Sequence, residues 1–162
     1  MAKVFLGVGS NIEPEAHLRL AVRELRRRFG PLEISPVYES AAVGFEGDDF
    51  LNMVVGLETL LPPPEILRAI AEIHALAGRR PASGALASRE LDIDLLLYDG
   101  LVIDEGKLHV PRSDVLKYSF VLRPLADVAP DFVHPVTGRS FAEHWREFDA
   151  GRQPLRGVAI DF

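Results

Sequence analysis

The sequence of 162 residues contains no cysteine. A disulfide scaffold, a thiolate metal site and cysteine catalysis are therefore excluded, and the composition is compatible with a reducing cytosol. No apolar run is long enough to span a bilayer, and the first residues lack the apolar core and cleavage site of a signal peptide, so we expect a cytoplasmic protein. Basic residues are also few: 18 Lys and Arg against 24 Asp and Glu give a net charge of −6, which argues against nucleic-acid binding.

Common nucleotide and metal motifs are missing as well. No phosphate-binding loop of the form G-x-x-x-x-G-K-[ST] occurs, and the five histidines show no H-E-x-x-H spacing. Gly7 and Gly9 begin a dinucleotide fingerprint, but Ile12 occupies the place of its third glycine. These absences argue against a Rossmann-type, a Walker-type or a zinc-hydrolase site.

The apolar residues that are present, 48% of the chain, suffice for one compact domain over residues 1–162. Periodicity and turn residues predict strands over 3–8, 32–38, 50–59, 91–98, 101–103 and 107–110, and helices over 14–29, 65–77, within 113–126 and over 141–148. Gly7 and Gly9 are expected to end the first strand, and long loops are expected over 40–49 and 79–89. The order of elements predicts an α+β sandwich, a mostly antiparallel sheet with helices packed on it.

Two acidic residues alternate with large apolar residues in the clearest of these strands. Asp92 and Asp94 project from one face, because side chains two apart on a strand share a face, while their neighbours enter the core. Asp is rare in strands and like charges repel, so a hard divalent cation between the carboxylates would remove a cost. Arg89 can reach the same place and suits a phosphate oxygen. The alternative is that this face is simply solvated.

Several segments together resemble the 6-hydroxymethyl-7,8-dihydropterin pyrophosphokinases. They are the opening LGVGSN of residues 6–11, Phe50-Leu51-Asn52, Arg89-x-x-Asp92-x-Asp94, Val110-Pro111, the RPLADVAP of residues 123–130, and His134-Pro135. The resemblance covers nearly the whole chain and implies a ferredoxin-like α+β sandwich. It also implies transfer of pyrophosphate from ATP to the hydroxymethyl group of the pterin, with release of AMP, in folate biosynthesis.

The resemblance further implies a set of site residues. Asp92 and Asp94 would hold two Mg²⁺ ions that bridge the nucleotide phosphates, and Arg79 and Arg89 would act as catalytic-loop arginines. Pterin contacts map onto Ser40, Ala41, Val43, Gly44, Phe50, Asn52 and Phe120. The nucleotide would meet Arg79, Arg89, Lys107, Arg112 and Lys117. ATP and a pterin are thus the expected partners, and neither nucleic acid nor a membrane is expected.

The chain departs from the family pattern mainly around the phosphates. Arg112 stands where the family has His, Tyr118 where it has Arg, and His74 where it often has Glu; we expect His74 to be a surface or loop-facing helix residue. A family Trp and further basic residues between the two arginines are replaced by Pro81, Ala85 and Leu86. Two alternatives therefore remain open. One is a diverged paralogue that binds a pterin-like heterocycle with weak or altered transferase activity, and the other is a non-catalytic small-molecule-binding domain.

Overall fold

A computed structural model of the chain describes residues 1–41, 49–78 and 91–162. The strands in the described residues are β1 (Ala2–Ser10), β2 (Glu33–Ile34), β3 (Val37–Ser40), β4 (Phe50–Thr59), β5 (Asp92–Tyr98), β6 (Ile103–Glu105), β7 (Leu108–Val110) and β8 (Arg156–Val158). The α-helices there are α1 (Pro14–Phe29), α2 (Pro63–Leu76), α3 (Asp114–Lys117), α4 (Ser119–Val128) and α5 (Phe141–Glu147). A 3₁₀ turn over Ala150–Arg152 precedes β8.

The strands form one antiparallel sheet and a separate hairpin. The order in the sheet is β5-β1-β4-β3-β8, with β2 also paired to β4, and β6 pairs with β7 in the hairpin. The first strand is therefore central, with β4 on one side and β5 on the other. The predicted α+β architecture with a mostly antiparallel sheet is confirmed.

Each face of the sheet has its own apolar core. One face is covered by α1 and α2, whose buried residues pack with alternate residues of β1, β4 and β5, such as Val8, Met53 and Ile93. The other face is covered by α3, α4 and α5, which pack around Phe5 and Val54. Side chains alternate along a strand, so Gly7, two positions after Phe5, and Asn52, two positions before Val54, lie on this second face.

The expectation that Gly7 and Gly9 end the first strand was wrong. Both lie inside β1, which continues to Ser10 and pairs residue by residue with β4 and with β5. Glycine has a low intrinsic preference for strands, but pairing on both sides of a central strand overrides that preference. The pairing brings the backbones of β4 and β5 alongside two positions that have no side chain.

Two other expectations needed correction. The strand expected over 32–38 is divided into β2 and β3 at Ser35 and Pro36, where the Ser35 hydroxyl accepts a hydrogen bond from the Val54 amide at 2.8 Å. Strand β8 was not predicted at all. Its short polar sequence, Arg156-Gly157-Val158, carries no alternation, and only pairing with β3 makes it a strand.

Candidate active site

One row of residues crosses four strands on the second face of the sheet. Tyr38 of β3 lies opposite Asn52 of β4, Asn52 lies opposite Gly9 of β1, and Gly9 lies opposite Asp92 of β5. The neighbouring row places Gly7 opposite Asp94. An amide and two carboxylates therefore flank a strip of sheet that has no side chains.

The glycine strip has a strict steric requirement at one position. A Cβ built on Gly9 would overlap the Oδ1 atom of Asn52, whereas a Cβ on Gly7 would meet the Leu96 side chain at an ordinary 3.4 Å. The amide of Asn52 consequently lies over the Gly9 backbone. Glycine at this position is what lets the amide lie between β4 and the carboxylates of β5.

The two carboxylates are half-buried, and the intervening Ile93 side chain is in the core. Burial is the main cause that raises the pKa of Asp94 to about 7, and the negative charge of Asp92 adds to it, while the Arg112 guanidinium acts in the opposite direction. A bound divalent cation would offset both the burial and the mutual repulsion of the ionised carboxylates. Mg²⁺ prefers such oxygen donors, since it binds one or two carboxylates and completes its shell with waters and phosphates. The parts of the chain that the structure describes contain no cluster of three metal-ligating side chains.

Arg112 links the carboxylate pair to the hairpin region. Its backbone amide donates to the Leu96 carbonyl at 2.9 Å, which anchors it to β5. Its guanidinium lies 3.6 Å from an Asp94 oxygen and 3.4 Å from an Asp114 oxygen. One cation is thereby held beside the carboxylates on a fixed backbone.

A cleft of about 110 Å³ opens next to Arg112 and Asp94. Its walls come from α2, β5, β7 and the hairpin turn: Leu67, Ile70, Ile93, Asp94, Leu95, Lys107, Leu108, His109 and Arg112. The wall combines apolar side chains with the cations Lys107 and Arg112 and with the carboxylate of Asp94. A ligand with both an apolar and an anionic part fits this mixed lining.

An aromatic pair lies at the start of α4, in the layer that covers the second face. The rings of Tyr118 and Phe120 stack with centroids 4.9 Å apart and 16° between their planes, and Lys117 Nζ lies 5.2 Å from the Tyr118 centroid. Both rings are half-buried and pack against the cluster that contains Val54. Phe120 and Asn52 are therefore on the same side of the sheet.

A second polar group next to Asn52 was not predicted from the sequence. The Tyr38 hydroxyl donates to Asp127 and accepts from Arg123 Nε at 3.2 Å, and the Arg123 guanidinium lies 5.2 Å from the Trp145 ring centroid. Burial and the bond to Asp127 raise the pKa of Tyr38. The contacts of Tyr38 with Asp127 and Arg123 join β3 to α4. Tyr38 lies beside Asn52 only because β3 pairs with β4.

His74 differs from its expected place on the surface or facing a loop. It is half-buried in the last turn of α2, and its Nε2 accepts a hydrogen bond from the backbone amide of Ile93 at 2.9 Å. Ile93 is the residue between Asp92 and Asp94. No local sequence pattern indicates this contact, because the two residues belong to different elements.

The structure brings together part of the predicted site. Asp94, Lys107 and Arg112 line one cleft, and Asp92 lies two residues from Asp94 on the same strand. Asn52 is on β4, separated from β5 by Gly9 of β1, and Ser40 and Phe50 are paired at the adjacent ends of β3 and β4. Ala41 is exposed directly after β3. Lys117 is not in the wall of the cleft, since it lies against Tyr118. The predicted residues Val43, Gly44, Arg79 and Arg89 lie outside the described residues.

Paired carboxylates, a fixed arginine and a cleft with an apolar and a cationic wall are parts that phosphoryl-transfer enzymes use. The comparisons with known proteins agree with that class. The family model described as 7,8-dihydro-6-hydroxymethylpterin-pyrophosphokinase matches residues 5–130. The chain belongs to this family.

Curated relatives support the assignment. The chain is 38% identical over 145 residues to the 2-amino-4-hydroxy-6-hydroxymethyldihydropteridine pyrophosphokinase of Aquifex aeolicus, which covers 88% of this chain and 90% of the relative. It is 33% identical to the folic acid synthesis protein fol1 of Pneumocystis carinii over 98% of this chain but only 23% of that protein. The resemblance stated from the sequence is confirmed, and with it the class of activity, an ATP-dependent pyrophosphoryl transfer in folate biosynthesis.

Solved structures agree on the fold. The crystal structure of Plasmodium falciparum HPPK-DHPS wild type with pteroate matches with a TM-score of 0.75 and 13% identity, over 90% of this chain and 44% of that chain. The crystal structure of an HPPK-DHPS in complex with substrates matches with a TM-score of 0.74 and 12% identity, over 93% of this chain and 44% of that chain. At these identities the likeness concerns the fold alone. The described residues include no helix that is long and apolar enough to cross a membrane.

Replacing Asp94 with Asn is expected to stabilise the metal-free protein at alkaline pH. The folded-state pKa of about 7 lies above the ordinary 3.8, so between these values the folded protein holds a proton that the unfolded chain has released. The free energy of unfolding therefore falls as the pH rises through this window and stays lowered above it. Thermal unfolding with a chelator should show a gain of about 2–5 °C for Asp94→Asn near pH 8.5 and a smaller gain near pH 5.

Asp131→Asn is the matched control, because Asp131 is exposed. It should leave the melting temperature nearly unchanged at both pH values. An equal gain for Asp94→Asn at both values would contradict the electrostatic origin of the effect.

Proposed function

We propose that the chain transfers pyrophosphate from ATP to 6-hydroxymethyl-7,8-dihydropterin at the glycine strip, with the pterin beside Asn52 and the ATP phosphates beside Asp92 and Asp94. The observation that carries this proposal is the row in which Asn52, Gly9 and Asp92 lie on three adjacent strands. Neighbouring strands in a sheet are about 4.8 Å apart, so β4 and β5, with β1 between them, are roughly 10 Å apart. A heterocycle that contacts Asn52 and extends over the glycine strip would present its side-chain hydroxyl toward a phosphate held at β5.

Asp92 and Asp94 are the residues that would hold Mg²⁺, and the proposed count is two ions. Bound there, the metal would neutralise charge on the phosphate oxygens and on the attacking hydroxyl. In the transfer, the hydroxyl oxygen forms a bond to the β-phosphorus of ATP as the bond from that phosphorus to the α-phosphate oxygen breaks. AMP leaves with the electron pair, and the proton of the hydroxyl group is released to water.

The nucleotide is proposed to occupy the cleft beside Arg112. Leu67, Ile70 and Leu108 form an apolar wall suited to a base, and Lys107 and Arg112 supply charge for the phosphates. Lys117, Arg79 and Arg89 are assigned to the phosphates from the family resemblance alone. The backbone of Arg112 is already held against β5 by its amide, so only its side chain would need to reorient on binding.

The pterin is proposed to bind edge-on to Asn52 and face-on to Phe120. A carboxamide can donate and accept along the edge of the heterocycle, and an aromatic ring can stack on its face. Phe50 and the chain from Ser40 to Gly44 complete the slot as inferred from the resemblance. Tyr118 stacks on one face of Phe120, so the heterocycle would use the other face.

Removing either carboxylate should abolish turnover without unfolding the protein. Asp92→Ala and Asp94→Ala are each expected to lower the rate of AMP release by at least about 100-fold, because each removes a direct ligand of the phosphate-neutralising cation. The measurement is AMP formation from ATP, Mg²⁺ and hydroxymethyl-dihydropterin, with circular dichroism as the folding control. Near-normal rates at low Mg²⁺ in both variants would refute the metal assignment.

The same assay separates the alternatives in the wild-type chain. AMP formation coupled to loss of the pterin supports full activity. Pterin binding without turnover would indicate the diverged paralogue. Binding of the pterin that is indifferent to Mg²⁺ and ATP would indicate the non-catalytic domain.

A glycine pair tests the pterin site. Gly9→Ala is expected to weaken pterin binding by ~1–3 kcal/mol, because the new Cβ displaces the Asn52 amide and leaves a buried polar edge of the ligand unpaired. Asn52→Ala should weaken it by a similar amount. Gly7→Ala is the matched control, since its Cβ makes only an ordinary contact with Leu96. Isothermal calorimetry with the pterin alone measures all three, and equal losses for Gly7→Ala and Gly9→Ala would contradict the proposed slot.

Arg112→Ala tests the nucleotide site. Loss of one charge-assisted bond to phosphate is expected to weaken ATP binding by ~1.5–3 kcal/mol while pterin binding stays close to normal. Arg146→Ala, which removes an exposed arginine of α5, serves as the control for net charge. Calorimetric titration with a non-hydrolysable ATP analogue and Mg²⁺ measures the difference. Unchanged ATP affinity in Arg112→Ala would place the phosphates elsewhere.

A further inference from the structure

The strand that carries the two carboxylates is at the edge of the sheet. Among the residues that the structure describes, strand β5 pairs with β1 and with no other strand. An edge strand leaves outward backbone groups that need other partners. At this edge, the Ile93 amide donates to His74 Nε2 at 2.9 Å, and the Leu96 carbonyl accepts from the Arg112 amide at 2.9 Å. Helix α2 and the Arg112 segment thus secure β5 from outside.

The hydrogen bond that His74 accepts comes from Ile93, the residue between Asp92 and Asp94. The side chain of Ile93 is only 2% exposed and packs in the core beneath α2, together with Ile70 and Ile73. A buried side chain on one face and a hydrogen bond from a helix at the edge fix the rotation of the strand about its own axis. That rotation sets the direction of both carboxylates, which leave the opposite face.

The carboxylates themselves favour a different arrangement. Asp92 and Asp94 repel each other as like charges on one face of β5, and the Arg112 guanidinium lies 3.6 Å from an Asp94 oxygen. Repulsion within the pair acts against this arrangement, and a slip of one residue would turn both acids toward the apolar core. A backbone tether at the intervening residue opposes such movement.

We propose that His74 is a positioning residue, which holds the β5 backbone so that Asp92 and Asp94 are preorganised for a metal–nucleotide complex. This inference rests on the proposed function, because it requires metal and phosphates at these carboxylates. His74 acts through the Ile93 amide and has no assigned contact with the ligand. The acceptor is the unprotonated Nε2 of the neutral imidazole.

Three substitutions at this position separate the acceptor from the bulk of the side chain. His74→Ala removes both. His74→Gln keeps an acceptor at nearly the same distance from the backbone. His74→Met keeps the length without an oxygen or nitrogen acceptor, and it replaces His74→Ala if that variant fails to fold. His144→Ala is the matched control, since His144 also makes one hydrogen bond, to Thr137, but lies on α5.

The primary measurement is binding of a non-hydrolysable ATP analogue as a function of Mg²⁺ concentration. Outer partners of metal ligands typically contribute 10- to 100-fold to metal affinity. We expect His74→Ala and His74→Met to raise the Mg²⁺ concentration needed for nucleotide binding by about tenfold, and His74→Gln to restore it to within about threefold. Pterin affinity should stay unchanged in all three, because Asn52 lies on another strand. Amide hydrogen exchange of Ile93 should accelerate in the Ala and Met variants and slow again in the Gln variant.

A purely structural role predicts a different result. If His74 is purely structural, its replacement would lower the melting temperature and weaken pterin and nucleotide binding together. Any effect of the control His144→Ala should have this same form. The inference is overturned if the Mg²⁺ requirement is the same in the Met and Gln variants, or if Ile93 exchange accelerates with no change in that requirement. Failure of the underlying proposal is distinct, since Asp94→Ala would then bind the nucleotide with the same Mg²⁺ dependence as the wild type.

Discussion

The absence of a side chain at Gly9 is the constraint on which the candidate site depends. A Cβ there would overlap the Asn52 amide, so any other residue would displace the amide that we propose contacts the pterin. Glycine in a strand interior costs roughly 0.5–1 kcal/mol relative to alanine. That cost is offset because β1 is central and pairs with both β4 and β5. The most intrinsically unfavourable residues of the strand are thus placed where pairing is most complete.

The two faces of the sheet differ in the side chains that they carry near the candidate site. The face beneath α1 and α2 is apolar along β1, β4 and β5 and fixes their register. On the other face, the apolar residues pack around Phe5 and Val54. Further along the same strands, this face consists of the bare backbone at Gly7 and Gly9 and the amide side chain of Asn52. Charge that is unfavourable in isolation, such as the carboxylate of Asp94, can be retained there because the first face supplies a rigid support. A cation at Asp94 would stabilise the ionised carboxylate and so offset part of the desolvation free energy that burial imposes.

Much of this arrangement was visible in the sequence, for reasons that are local. Helix α1 and strand β4 have the predicted bounds because periodicity and turn residues act within one element. Alternation around Asp92 and Asp94 placed both acids on one face, and the helix predicted over 141–148 corresponds to α5. What was missed depends on pairing between distant elements. The continuation of β1 through its glycines, the contact of His74 with Ile93, and the bonds of Tyr38 to α4 each need a partner far away in the chain.

The departures from the family pattern acquire a physical meaning in the structure. Arg112 is not a free charge: it is shared between Asp94 and Asp114. On the proposed assignment, a cation at Asp94 would weaken the hold of that carboxylate on Arg112 and release the guanidinium toward the phosphates. Metal and nucleotide binding would then favour each other, and by linkage the coupling must be equal in both directions. Tyr118, in place of a family arginine, adds no charge but stacks on Phe120 and holds Lys117 nearby. Among the described residues, the proposed phosphate-binding cations Lys107 and Arg112 lie at the edge of β5 and the hairpin, where Arg112 contacts the Asp94 carboxylate directly.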